Sequence, residues 1–331
     1  MPLQAGQRQR FHAGAGRLWS GIMTTQARRS TAFGYLCAGL VVALWAGFSL
    51  SGRYASLAPG VRLTPWDLAA LRYAVALPIA LVMYAAGPGR GLQWRRSAVV
   101  AVVAGLCFPL PAYVGFGYAP AAHAAVILSG TMPFMVAVGL TLIGAERWTR
   151  ARLRSLAVLL VGIALLGWAA FVQGARPGAW RGDLLFIFAA IAWTVLTILI
   201  RRWAITPWQV VCTVGIWAGS AYLPVWAIAL PSHLSQVPPG IIVAQAAMQG
   251  LLVTVVSVIL FTRALLLLGA ERVSLVTALV PGLAGVLSVP LLGEELGLLD
   301  VGGLVLVSAA VAMGVRGAPS RMGLPDQPVG A

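Results

Sequence analysis

Two stretches of the sequence decide the fold: "PFMVAVGLTLIGAE", from Pro133 to Glu146, and "PGLAGVLSVPLLGE", from Pro281 to Glu294. Each begins with proline, is apolar in its interior, and ends on a glutamate that follows Gly or Gly-Ala. The two stretches lie 148 positions apart. A pattern of this length that occurs twice predicts an internal repeat, with equivalent helices in the two halves of the chain.

Rarer residue types support the repeat. Trp45 and Trp193 are also 148 positions apart, although the chain contains only 12 tryptophans. "LTPW" at 63–66 and "ITPW" at 205–208 match at an offset of 142, which a shorter loop after the first helix of the second half would explain. Agreement of Trp and Pro along both halves favours a duplicated unit over chance.

The composition is that of an integral membrane protein. Sixty per cent of the 331 residues are hydrophobic, 9% are charged, and the mean hydropathy is +0.90. One soluble core could not bury so many apolar residues. Apolar runs close to the ~20 residues that span a bilayer recur from end to end. We predict ten transmembrane helices, at 34–52, 66–86, 98–117, 121–144, 155–172, 183–200, 209–230, 242–268, 273–292 and 298–315.

Each repeat therefore contains five helices. Because five is odd, the second copy must cross the membrane in the opposite sense, so we expect an all-α membrane protein built from two inverted five-helix repeats. In transporters of this architecture the substrate site lies between the repeats near the bilayer midplane. The predicted units are a disordered tail at 1–30, a first repeat at 31–173, a second repeat at 182–316 and a tail at 317–331.

The arginines set the predicted topology. The formal charge of +15 could indicate a nucleic-acid partner, but the basic residues lie between the apolar runs rather than in one patch, so we expect none. With the N-terminus inside, 17 of the 23 basic residues are cytoplasmic. The sequence thus predicts a multi-pass protein with both termini in the cytoplasm and the lipid bilayer as its surroundings.

Several kinds of chemistry are excluded by residue type. All 23 basic residues are arginine, whereas a P-loop and a Schiff-base cofactor both require lysine. The three cysteines fall inside predicted spans, where cysteine is typically a small packing residue. We expect no cofactor and no metal site.

The sequence resembles a known family. "LWAGFSLSGRYA", "FGYAPAAHAAVILSGTMPFMVAVGLTLIGAERWT" and "LVPGLAGVLSVPLLGEEL" resemble the EamA-type transporters of the drug/metabolite transporter superfamily, over about residues 34–315. The resemblance implies a ten-helix carrier in the cytoplasmic (inner) membrane, often an exporter of amino acids, related metabolites or drugs. Its pattern includes the early arginine Arg72 of the second helix, whose counterpart in the second half is Val214.

Two other functions stay open. The first alternative is a channel or a membrane protein that does not transport. A membrane-embedded enzyme is less favoured, because the chain has no H-E-x-x-H motif, no G-x-S-x-G motif and no pair of intramembrane carboxylates.

Four residues are candidates for substrate binding because of their depth. Trp45 and Trp193 lie near the middle of their predicted helices, whereas tryptophan normally prefers the membrane interface. We expect both to face one cavity, although an indole packed between helices is the structural alternative. Arg72 and Arg263 are intramembrane charges that could attract an anionic substrate group or could extend to the interface.

The remaining candidates are neutral or structural. His123 titrates in a range that suits proton exchange, and Gln249 offers amide contacts, but either could simply bridge helices. Four motif residues are assigned structural roles at the kinks and ends of the fourth helix of each repeat: Pro133, Glu146, Pro281 and Glu294.

The topology yields the first testable prediction. Reporter fusions at Gly178 and Ser232, two predicted periplasmic loops, are expected to give an outside signal, because the arginine bias places both termini inside. Alkaline phosphatase and a fluorescent protein, fused separately at each site, report opposite compartments. A cytoplasmic signal at either position would contradict the ten-helix topology.

Overall fold

The computed structural model describes residues 30–52, 54–55, 63–119, 124–144, 149–173, 178–292 and 297–317. His123, Glu146 and Glu294 lie outside these ranges, as do the predicted tails apart from residues 30 and 317. All regular secondary structure in the described ranges is helical, as an apolar chain requires in a bilayer, where each backbone N–H and C=O has to be paired inside the protein.

The helices, in chain order, are α1 (Ser30–Gly52), α2 (Pro65–Ala85), α3 (Trp94–Tyr118), α4 (Ala125–Leu142), α5 (Arg150–Gln173), α6 (Ala179–Arg202), α7 (Pro207–Ala229), α8 (Pro239–Leu268), α9 (Ala270–Leu291) and α10 (Leu298–Gly317). Several contain wider π-helical turns, among them Ala101–Cys107 in α3 and Ala246–Val256 in α8.

Eight of these helices, within the part of the chain that is described, are long and apolar enough to cross a membrane. They are α1 to α4 and α6 to α9. The structure therefore supports a multi-pass membrane protein. Helices α5 and α10 are not among the eight, and the apolar part of α10, Val301–Gly314, is comparatively short. The count of ten spans stays a prediction.

The repeated "TPW" stretches begin equivalent helices in the same way. Thr64 and Thr206 are the N-caps of α2 and α7, each followed by proline at the first helical position. Each threonine hydroxyl accepts a hydrogen bond from the backbone N–H three residues later, and the side chain there, Asp67 or Gln209, accepts one from the threonine N–H. Such a capping box satisfies two backbone donors that a helix start leaves unpaired.

The side chains of Asp67 and Gln209 also form hydrogen bonds with residues of the opposite half of the chain. Asp67 Oδ2 accepts a 2.9 Å hydrogen bond from the backbone N–H of His233, and its Oδ1 accepts one of 3.2 Å from Trp226 Nε1. Gln209 Nε2 donates to the carbonyl of Arg90 at 2.9 Å. The start of α2 is thus bound to the end of α7, and the start of α7 to the loop after α2, so these helices are antiparallel.

Other equivalent helices are paired as well. Helix α4 packs on α9, and α5 packs along α10. Helix α3 packs on α6, while α1 contacts α8, where Trp45 Nε1 donates to Ser257 Oγ at 3.1 Å. Helices α2 to α5 therefore each have their most extensive contacts with helices of the second half, and α1 contacts the second half through Trp45.

Glycines allow close contact where a helix of one half crosses a helix of the other half. A Cβ at Gly105 of α3 would lie 2.4 Å from the Cβ of Ala218 in α7, and one at Gly250 of α8 would lie 2.5 Å from the Cβ of Val75 in α2. Small residues let transmembrane helices approach closely, and dispersion contacts then stabilise the pair.

A second glycine pair follows the 148-residue offset. A Cβ at Gly34 would lie 2.8 Å from Leu268 Cγ, and one at Gly182 would lie 2.6 Å from Ala119 Cβ. The first contact joins α1 to the end of α8, and the second joins α6 to the end of α3. The offset seen in sequence therefore relates equivalent contacts in space.

Two alanine substitutions in α3 test the close crossing. Gly105→Ala is expected to lower the free energy of unfolding by about 1–3 kcal/mol, because the new methyl group overlaps Ala218. Gly117→Ala is the control: nothing lies within 4 Å of its new Cβ, and alanine favours the helix by up to about 1 kcal/mol. Thermal melting of the purified protein in detergent measures both. Equal losses of stability would contradict the close packing of α3 on α7.

Candidate substrate site

A cavity lies where the two halves meet. The space here that protein atoms do not fill is about 530 Å³, a figure that includes the open space at the mouth of the cavity. Helices α1, α2, α3, α4, α6 and α8 contribute, with Ala124 just before α4. The lining residues are Trp45, Phe48, Ser49, Arg72, Phe108, Ala124, Ala125, Leu128, Ser129, Met132, Trp193 and Val253.

Arg72 is the charged residue of this lining. Its side chain is only 2% exposed, and its Nε and Nη1 atoms have no hydrogen-bond partner in the described part of the chain. The hydroxyl groups of Tyr73 and Tyr113 are among the neighbours of its charge. Among the described residues, no carboxylate forms an ion pair with Arg72.

Asp67 does not neutralise this charge. It precedes Arg72 by five residues on α2, a spacing that points the two side chains in different directions around a helix. Both Asp67 oxygens are engaged in the capping box and in the contacts with α7. Burying a cation without an ion-pair partner costs several kcal/mol of folding free energy. A contribution to stability therefore does not explain why Arg72 is buried here.

An aromatic cluster forms the opposite part of the cavity wall. The ring centroids of Trp45 and Trp193 are 5.4 Å apart in an edge-to-face arrangement, and Phe108 lies 4.6 Å from Trp193. Phe261 packs on both tryptophans. The two residues predicted to share a cavity thus touch one another, one from each half.

The two indole groups differ in their hydrogen bonds. Trp45 Nε1 donates to Ser257 Oγ, whereas the buried Trp193 Nε1 has no partner among the described residues. A buried indole N–H usually finds an acceptor. Trp193 therefore presents an unused donor beside the cavity.

Gln249 belongs to a polar chain outside the cavity lining. Tyr113 donates to Gln249 Oε1 at 2.9 Å, Gln249 Nε2 donates to Gln245 Oε1 at 3.3 Å, and Gln245 donates to the Ser51 carbonyl at 3.1 Å. This chain links α3, α8 and α1. Its contact with Arg72 runs through Tyr113, so Gln249 supports the wall and does not face the cavity.

The repeated prolines occupy equivalent breaks. Helix α4 is interrupted at Thr131 and resumes at Met132, while α9 is interrupted after Thr277 and resumes at Val280. Pro133 and Pro281 are the second residues of the resumed segments, where a missing N–H is least costly. In α4 the preceding π-helical turn, Ala125–Gly130, supplies Leu128 and Ser129 to the cavity.

The structure brings together only some of the predicted site residues. Trp45, Trp193 and Arg72 line one cavity, with Gln249 behind its wall. Arg263 does not line it: this side chain is exposed on α8, on the side near Cys37. A long arginine one turn from a helix end reaches the surface readily.

Several other lining residues, among them Phe48, Ser49 and Phe108, were not singled out from the sequence. Phe48 and Ser49 lie three and four residues after Trp45, so the helical period places them on the same face, a signal that was present in the sequence. Phe108, Met132 and Val253 carry no such signal, because each is one apolar residue among many.

Comparisons with known proteins fit this arrangement. The EamA-like transporter family matches residues 180–316. This match confirms the resemblance: the chain carries an EamA-like transporter segment. The matched segment suggests a membrane transporter of the drug/metabolite type.

A solved crystal structure shares the fold of this chain. It is 20% identical in sequence, superposes with a TM-score of 0.64, and the match covers 86% of this chain and 98% of that one. A search of curated proteins found no match. The structural likeness supports the fold and does not bear on the substrate.

The unpaired charge of Arg72 predicts an unusual stability effect. Arg72→Gln is expected to melt, without ligand, at the same temperature as the original protein or higher, because it removes a buried charge that no carboxylate offsets. Melting curves in detergent measure this. Trp45→Ala is the comparison and is expected to cost about 3–5 kcal/mol, because it leaves a cavity among packed rings. A loss at Arg72→Gln as large as that at Trp45→Ala would show that Arg72 stabilises the fold.

Proposed function

We propose that this protein is a secondary carrier that moves small organic metabolites across the cytoplasmic membrane by alternating access, in the direction of export. Its ten helices would form two inverted repeats, 31–173 and 182–316, with both termini in the cytoplasm. The observation that carries the proposal is the cavity between the halves, to which Trp45 and Trp193 contribute from equivalent positions.

The packing supports two inverted units. Equivalent helices pair with each other, and the close glycine crossings recur in both halves. Antiparallel pairing of α2 with α7 is what an axis in the membrane plane would produce. The export direction rests on the EamA resemblance.

Alternating access requires the two halves to rock about the cavity. Hydrogen bonds at the ends of α2 and α7, from His233 to Asp67 and from Gln209 to Arg90, join the halves at opposite ends of these helices. Arg152 and Glu271 form a further ion pair of 3.5 Å between α5 and α9. Contacts of this kind at the bundle ends, rather than those around the cavity, would break and re-form in a cycle.

Transport by the purified protein tests the proposal. In proteoliposomes loaded with a panel of amino acids, organic acids and drugs, a carrier is expected to show saturable uptake and counterflow with at least one solute. A channel would give flux without counterflow. Absence of any saturable flux across the panel would contradict the carrier function.

Paired tryptophan variants test the location of the site. Trp45→Ala and Trp193→Ala are each expected to weaken binding of the transported solute by on the order of 1–3 kcal/mol, because they remove aromatic contact area at the cavity wall. Trp168→Ala is the matched control, since that indole is 63% exposed on α5. Unchanged affinity in both cavity variants, with stability lost, would show that the two tryptophans only pack the bundle.

A further inference from the structure

Three fully buried N–H groups at the cavity have no hydrogen-bond partner among the described residues. They are Nε and Nη1 of Arg72 and Nε1 of Trp193, in side chains that are 2% and 4% exposed. Buried donors of this kind require an acceptor. The described protein supplies none, so the acceptor that fits them is one that an occupant of the cavity brings.

The helices around the cavity carry almost no negative charge. Within the lengths of α1, α2, α3, α4, α6 and α8, the sequence has only two acidic residues, Asp67 and Asp183. Asp67 is engaged at the start of α2. Asp183 precedes Trp193 by ten residues of α6, which corresponds to about 15 Å along a helix. An ammonium group in the cavity would therefore meet the positive charge of Arg72 without a carboxylate to offset it.

The rest of the wall is mostly apolar. Phe48, Phe108, Met132 and Val253 line the cavity with the two indoles. Two hydroxyl groups also belong to the lining, those of Ser49 and Ser129, and Ser49 Oγ donates to the carbonyl of Trp45 at 3.2 Å. The cavity therefore combines one cationic side chain with two hydroxyls and a mostly hydrophobic wall.

We propose that the substrate class is an organic monoanion, a carboxylate attached to an apolar or aromatic body and lacking a compensating ammonium group. This inference rests on the proposed carrier function and specifies its substrate. The guanidinium of Arg72 holds the carboxylate through its unused N–H groups, since arginine and carboxylate form strong charge-assisted hydrogen bonds. The aromatic cluster encloses the body, and the Trp193 N–H donates to a remaining oxygen. Zwitterionic amino acids of the same skeleton bind less well.

Four compounds with closely related skeletons and different charges test the preference for an anion. They are 3-phenylpropionate, phenylalanine, 2-phenylethylamine and 3-phenylpropanamide, which present an anion, a zwitterion, a cation and a neutral amide. Binding to the purified full-length protein is measured by calorimetry. We expect 3-phenylpropionate to bind at least about ten-fold more tightly than phenylalanine, and 2-phenylethylamine to bind least. A parallel aliphatic set, hexanoate, norleucine, pentylamine and hexanamide, covers a body without a ring.

Variants of Arg72 then test whether this residue is responsible for the preference for a carboxylate. Arg72→Gln is expected to weaken carboxylate binding by roughly 30-fold or more, because it removes one partner of a buried charge pair, and to leave binding of the amide unchanged. Retained amide binding shows that the variant is folded. Arg72→Lys is expected to restore part of the carboxylate preference. Arg154→Gln, an exposed arginine on α5, is the matched control and is expected to change neither affinity.

Three results would overturn the inference: equal affinity for phenylalanine and 3-phenylpropionate, an undiminished carboxylate preference in Arg72→Gln, or no binding of any compound in either set. The carrier function is judged separately by counterflow with the wider panel. If the protein shows counterflow of a cationic or neutral solute and does not prefer carboxylates, the proposed substrate class is wrong and the carrier function is supported. If it binds carboxylates preferentially but shows counterflow of no solute, the carrier function is wrong and the anion site is supported.

Discussion

Close contact between the two halves at glycine is the constraint on which the rest of the structure depends. In a bilayer the hydrophobic effect does not drive helices together, so their association relies on dispersion contacts and on a few hydrogen bonds. Gly105 and Gly250 let α3 approach α7 and let α8 approach α2 without a side chain between them. Because these contacts join one half to the other, neither half can form its full packing surface alone.

The cavity follows from this arrangement. The glycines bring backbones together at the crossings, while the large rings of Trp45, Phe108, Trp193 and Phe261 pack against one another at the cavity. Arg72 lines the same cavity. A buried cation whose Nε and Nη1 groups have no acceptor among the described residues is costly to the fold. That cost is understandable if an anionic occupant provides the missing partner, since binding energy then offsets the burial of the charge.

The two halves are equivalent in packing and different in chemistry. The capping boxes of α2 and α7 have the same geometry, yet Asp67 stands where the second half has Gln209, and Arg72 stands where it has Val214. Val214 is a buried apolar residue, with 4% exposure. The charged corner of the cavity therefore belongs to the first half only. In the proposed inverted repeat, the cavity lies between the two units, and the difference between Arg72 and Val214 is what gives it a charge.

The sequence alone predicts a multi-pass membrane protein, and it singled out three of the residues that line the cavity; the inverted repeat stays a prediction. Apolar runs of bilayer length predict helices because no other open structure satisfies the backbone in lipid, and the rarity of tryptophan and of mid-helix charge singled out Trp45, Trp193 and Arg72. The tertiary structure decided which candidates meet. It placed Gln249 behind the wall and Arg263 at the surface, although both were substrate-binding candidates on the same helix. It also added Phe108, Met132 and Val253 to the lining. Helical rotation and crossing distance decide such placements, and both depend on contacts between residues more than a hundred positions apart, which a linear pattern does not specify.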